Sequence, residues 1–274
     1  MKWIKKNWST LFLILLMLVG AGLLIYPTIS DYWNSLHQSK AITNYVENIV
    51  DIDNERYEKL WADAEAYNKT LIDKERKWLF TDEEREEYNQ YLNIDGNGIM
   101  AVIDIPVIKC SLPIYHSTDE AVLQVAVGHV EGSALPVGGK STHCVLSGHR
   151  GLPSARIFTD LDQLVVGDVF TINTLDVTLT YEVDQIRIVE PTDFSELEVE
   201  EGKDYCTLVT CTPYGINTHR LLVRGHRISN AEEKKEIRVS ADATMRDPIE
   251  MAPFFAIPIL LIWLLGVFIG DRRR

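Results

Sequence analysis

Two stretches without a single charged residue, 7–30 and 251–270, bracket this chain of 274 residues. Their apolar cores read LFLILLMLVGAGLLIY and PFFAIPILLIWLLGVFIG. Crossing the hydrocarbon layer takes about 20 such residues, and both stretches qualify. Lys2, Lys5 and Lys6 precede the first, and Arg272, Arg273 and Arg274 follow the second. Basic flanks stay on the cytoplasmic side, so the chain reads as a hairpin whose middle lies outside the membrane. Gly20-Ala21-Gly22 offers a small-residue cleavage site, which leaves a signal peptide as the alternative for the first stretch. The apolar run continues past it, which favours an uncleaved anchor.

The whole chain carries a net charge of −13, and because both tails are basic the segment between them is more acidic still. Nucleic acid is thereby excluded as a partner, since phosphate binding needs basic faces. Four cysteines, at 110, 144, 206 and 211, show no metal-ligand spacing. No cofactor and no metal are expected.

Five segments follow from the pattern: a basic tail and transmembrane helix (1–30), a helical region (31–96), a β domain (97–230), a linker (231–250) and a second transmembrane helix with its tail (251–274). Within 31–71, Tyr57, Leu60, Trp61, Ala64, Tyr67 and Leu71 recur at three- and four-residue spacing, one apolar face of a helix. Thr81-Asp82-Glu83-Glu84 has the form of a capping box and predicts a shorter helix to about Leu92. Asp95-Gly96-Asn97-Gly98 marks a turn. Beyond it, short runs rich in Val, Ile, Leu, Thr and Tyr at 99–106, 143–147, 168–173, 176–183, 184–190, 205–210 and 219–225 predict strands. Many short strands with turn signals between them imply a closed or nearly closed barrel. A short helix is expected over 119–127.

Chemistry concentrates in YCTLVTCTPYGINTHRLLVRGHR, 205–227. Cys211 ends one strand and Arg220 opens the next. A free thiol has a pKa of about 8.5 and needs a histidine or a positive charge nearby to attack well. His149 is the best candidate among seven histidines, because it follows the strand HCVLS directly, between Gly148 and Gly151. Alternation puts Leu221 and Val223 inside the barrel and Arg220 outside, where a guanidinium can stabilise an oxyanion. Each residue also has an ordinary reading: a small buried thiol, a structural histidine, a solvated arginine. Spacing alone does not choose between the two.

The motifs choose. TLVTCTPYGINTHRLLVRG (207–225) resembles the signature of class C sortases, the pilin-polymerising transpeptidases of Gram-positive bacteria. VLSGHRGLPSARIFTDLDQLVVGD (145–168), GHVEGSALPVGG (128–139) and IPVIKCSLPIYH (105–116) resemble the same family. The resemblance covers roughly residues 60–230. It implies a mainly β fold: an eight-stranded sortase barrel with short helices, a helical N-terminal region and two flanking transmembrane helices. Cys211 is implied as nucleophile, His149 as general acid and base, and Arg220 as stabiliser of the oxyanion or substrate. The implied partners are pilin subunits bearing LPXTG-like sorting signals and a lysine amine that accepts the acyl group. Alternatives are a surface cysteine peptidase and a housekeeping-type sortase that attaches proteins to the cell wall.

One departure stands out. Class C sortases usually carry a lid with an Asp-Pro-aromatic tripeptide, and no Asp-Pro precedes the barrel here. LIDKERKWLF (71–80) stands in its place, with Trp78 or Phe80 as the aromatic residue and Asp73 as the acid facing Arg220. A missing or atypical lid is the favoured reading. In addition, Cys144 precedes His149 by the same interval as Cys206 precedes Cys211, so parallel pairing of their strands would set the two thiols at one level.

Overall fold

The computed structural model describes residues 7–72 and 78–230. Asp73 and the apolar stretch at 251–270 lie outside the described residues. The chain divides into two compact units, with the change from one to the other at Trp33 and Asn34. Among the described residues one helix, α1 (Trp8–Val50), is long and apolar enough to cross a membrane, in the place of the first predicted span. Pro27 lies inside it. In the first unit its apolar side chains, Leu15, Leu16 and Leu23 among them, are exposed, as lipid-facing residues would be.

The second unit is built on an eight-stranded barrel. Its strands are β1 (Ile99–Ile105), β2 (Cys110–Tyr115), β3 (Val127–His129), β4 (Thr142–Ser147), β5 (Val169–Thr174), β6 (Val177–Val189), β7 (Asp204–Thr212) and β8 (His219–Ile228). They close in the order β1-β2-β3-β4-β7-β8-β6-β5. Two pairs are parallel, β2 with β3 and β4 with β7. The runs at 176–183 and 184–190, read as separate strands from sequence, are one strand, β6, with a bulge between Val183 and Gln185 against β8. A bulge adds a residue on one strand and breaks the alternation there, which is why the pattern read as two. Strands β2 and β3 are missing from the sequence reading, since β3 has three residues and β2 carries Pro113.

Alternate side chains fill the barrel. Ile103, Ile105, Leu146, Leu208, Phe170, Ile172, Tyr181 and Val223 form one core in which most side chains are fully buried. A buried Leu or Ile contributes roughly 1.5–3 kcal/mol relative to exposure. Helix α2 (Asn54–Thr70) starts at Asp53, whose side chain accepts from Arg56 N at 2.8 Å. It lays Ala64 and Tyr67 onto this core, with Leu71 just past its end. Asn68 fixes it there, donating to Leu135 O at 3.1 Å and accepting from Leu135 N at 2.7 Å. The capping box at Thr81 and Glu84 is formed at the start of α3 (Asp82–Tyr88), which is shorter than the pattern suggested. The end of α1 is tied to the barrel by Tyr45, whose hydroxyl donates to Met100 O and accepts from Leu175 N, both at 2.9 Å. A fourth short helix, α4 (Glu120–Leu123), falls within the predicted 119–127.

Candidate active site

Two neighbouring strand ends build the site. In the parallel pair of β4 and β7, the register runs from Thr142 opposite Asp204 to Ser147 opposite Val209. It continues past the strand: Gly148 N donates to Val209 O at 3.0 Å, and Thr210 Oγ1 donates to Gly148 O at 2.7 Å. The next residue on each chain is His149 and Cys211. On the other side of β7, the antiparallel register sets Cys211 opposite Arg220. The three residues named from sequence therefore lie at neighbouring ends of three adjacent strands, Cys211 on β7, Arg220 on β8 and His149 just past the end of β4.

Parity decides which face they occupy. Cys144, Leu146, Cys206, Leu208, Leu221 and Val223 point into the core. Their neighbours Val145, Val209 and Leu222 form a separate apolar cluster on the opposite face. Residues 211 and 220 share the parity of 209 and 222, so Cys211 and Arg220 sit on that outer face, as alternation predicts. Cys211 is half-buried and the His149 side chain is 28% exposed. Arg220 Nη1 donates to His219 O at 3.2 Å and to Asn217 O at 3.4 Å, which braces its stem against the β7–β8 turn.

The loop after β4 is held at several points. Phe158 N donates to His149 O at 3.0 Å. Arg150 Nε donates to Thr159 O at 3.2 Å, the guanidinium pairs with Asp162, and it lies 5.7 Å from the centre of the Tyr214 ring. A Cβ at Gly148 would come within 2.7 Å of Phe158 Cδ2, so the chain passes here only without a side chain. Gly151 has φ +77° and would place a Cβ 2.9 Å from Tyr214. The sequence showed these glycines as turn formers, and their second role is to let the histidine loop lie against its neighbours.

Two contacts were not legible in the sequence. Thr210, beside Cys211, ties the histidine loop to β7 through Gly148. Glu120 on α4 approaches His149, with Oε2 3.7 Å from Nε2. The spacing of 119–127 announced a helix, but nothing in it announced that partner.

Two of the other thiols are inside, and Cys110 is partly buried. Cys144 and Cys206 are register partners, 2% and 0% exposed, and both are free, so the equal level holds and no disulfide joins them. Cys110 donates to Ile157 O at 3.7 Å, and burial, followed by Asp104 and Asp160, pushes its thiol up to about 12. Of the aromatic residues named for a lid, Phe80 packs edge-on to Tyr88 beside the main core. Trp78 packs instead on the outer cluster of Val145, Leu197 and Leu222, 5.3 Å from the Phe194 ring. It thus lies on the face that carries Cys211. Among the described residues, no group of three or more His, Cys, Asp or Glu side chains is set to hold a metal ion.

A thiol, an imidazole and a guanidinium on adjacent strand ends can carry out acyl transfer: attack by sulfur, proton transfer by the ring, and hydrogen bonds to an oxyanion. The chain as a whole is similar to known proteins. The family model described as "Sortase domain" matches residues 103–228. Sortase D of Bacillus subtilis is 30% identical over 131 residues, 47% of this chain and 63% of that protein. Sortase C1 of Streptococcus agalactiae is 54% identical in a match covering 70% of this chain and 99% of that one, with a TM-score of 0.68. Streptococcus pneumoniae sortase C, whose structure is described as informing catalysis and pilin substrate specificity, is 42% identical over 69% of this chain and 97% of its own, with a TM-score of 0.61.

Proposed function

This chain belongs to the sortase family of cysteine transpeptidases, and its close structural neighbours are class C sortases; from that premise we propose that it joins pilin subunits covalently outside the cell. The observation that supports this reading is the pairing of β7 with β4 on one side and β8 on the other, in which Cys211 lies opposite Arg220 and β4 ends two residues before His149. Cys211 Sγ attacks the threonine carbonyl of an LPXTG-like sorting signal. The Thr–Gly C–N bond breaks, His149 gives its proton to the leaving amine, and a thioester remains on Cys211. A lysine amine of the next pilin then attacks the thioester. The C–S bond breaks, His149 takes the amine proton, and an isopeptide bond joins the two subunits. Arg220 supplies hydrogen bonds to the oxygen that becomes negative in each half.

The apolar helix α1 would hold this domain at the outer face of the membrane, where precursors with their own membrane tails are retained. An apolar stretch at 251–270 would add a second anchor. The basic residues at both tails support that orientation. Trp78, on the apolar face beside the site, takes the place of an aromatic lid residue in this proposal, with Asp73 as its acidic companion; the cover it gives is partial.

Incubation of the full chain with an LPXTG peptide and a lysine-containing acceptor tests the proposal. Mass spectrometry is expected to find an acyl adduct on Cys211 and an isopeptide-linked product. A purely hydrolysed product would make the protein a peptidase, and transfer to a cell-wall amine alone would make it a housekeeping-type sortase.

A further inference from the structure

We propose that Glu120 is a positioning residue for His149, a carboxylate that orients the ring and offsets its positive charge while it carries a proton. This rests on the reading of His149 as the proton carrier and extends it by one residue.

Glu120 Oε2 lies 3.7 Å from His149 Nε2, and the pair joins α4 to the loop after β4. The second carboxylate oxygen, Oε1, accepts from Gln124 Nε2 at 2.5 Å, one turn along the chain. The carboxylate is thus directed from its own side as well. Both partner segments are anchored to the same element. Gln38 Nε2 of α1 donates to Val125 O, just past α4, at 2.6 Å, and Asn34 Nδ2 donates to Ser154 O, in the histidine loop, at 2.7 Å. The loop is closed on itself by Phe158 N and His149 O. The separation of the two backbone segments is therefore set by the fold.

Energetics point away from a purely structural role. The Glu120 side chain is 73% exposed. An exposed ion pair adds little to stability, because water and salt screen it. A charge at this distance acts chiefly when the ring is an imidazolium, the form His149 must take between accepting a proton and giving it up. At 3.7 Å the contact is longer than a hydrogen bond, so the carboxylate acts on the ring through its charge, favouring the orientation that keeps Nε2 toward it.

The experiment compares the full chain with Glu120→Gln and Glu120→Asp in transpeptidation of an LPXTG peptide to a lysine acceptor. Glu120→Gln is expected to lower kcat about tenfold, a part of the roughly 10²–10⁴ that proton transfer by a placed side chain contributes. KM and the melting temperature should be unchanged, and Glu120→Asp should recover part of the loss. The gap between wild type and Glu120→Gln should narrow at about 1 M salt, where the screening length falls to ~3 Å. A kcat equal to wild type in Glu120→Gln overturns the proposal, as does a deficit of the same size at low and high salt. Cys211→Ala and His149→Ala are run beside it. Activity in either removes the site reading itself, whereas their inactivity with a normal Glu120→Gln removes only the role of Glu120.

Discussion

Strands β4 and β7 carry two pairs of residues into opposite environments. Cys144 and Cys206 face each other inside the barrel, almost wholly buried. Five residues further along each chain, an odd interval, His149 and Cys211 lie at the strand ends near solvent. An odd interval reverses the face in a strand, so one backbone pairing produces a sealed pair and an open pair. Chemical type does not separate the thiols; face and position along the strand do.

Thiol labelling is the broadest way to break this comparison. With its thiol pushed up to about 12, Cys110 should be ionised to only about one part in 10⁴ at pH 8. Its reactivity should rise only as pH approaches that value, because the raised pKa keeps it protonated below. Cys144 and Cys206 should label only on unfolding, and Cys211 in the native state. Native labelling of Cys206 would erase the distinction.

Substitutions sharpen it from either side. Cys211→Ala is expected to reduce transpeptidation by about 10³-fold or more with the melting temperature unchanged, as removal of a nucleophile does. Leu208→Ala, three residues back and facing inward at 0% exposure, should cost about 2–5 kcal/mol in denaturant unfolding. The outer change would strike chemistry and the inner one stability, and exchange of these outcomes would refute the assignment of faces.

Gly148→Ala addresses the hinge between the two environments. The new Cβ would meet Phe158 at 2.7 Å and Ile157 at 2.9 Å, both fully or nearly fully buried. Overpacking of this kind costs about 1–3 kcal/mol, and His149 should shift with it, so both stability and kcat should fall. The smallest effect is expected from Trp78→Ala, with less than about a threefold rise in the rate of Cys211 labelling, since gating by a cover needs one that closes over the site. A rise of tenfold or more would make Trp78 a full lid.

Much of the site was legible in the chain because it depends on local order. The strand patterns around Cys211 and Arg220 located a thiol and a guanidinium at strand ends, and alternation assigned Arg220 to the outer face. The helix faces of α2 and the capping box of α3 followed from spacing for the same reason. Strands β2 and β3 did not follow, because their pairing is made by distant partners and their own residues carry little periodic signal.

What the amino-acid sequence determined by itself was the periodic and the local: an apolar span, a helical region, a set of alternating strands and the residues able to perform acyl transfer. Tertiary structure alone decided which strands became neighbours. Parallel pairing of β4 with β7 brings together residues 62 positions apart, His149 and Cys211, and closure of the barrel sets α4 and Glu120 against the same ring. Such contacts depend on register and closure, which are properties of the whole barrel and leave no periodic trace in any one segment.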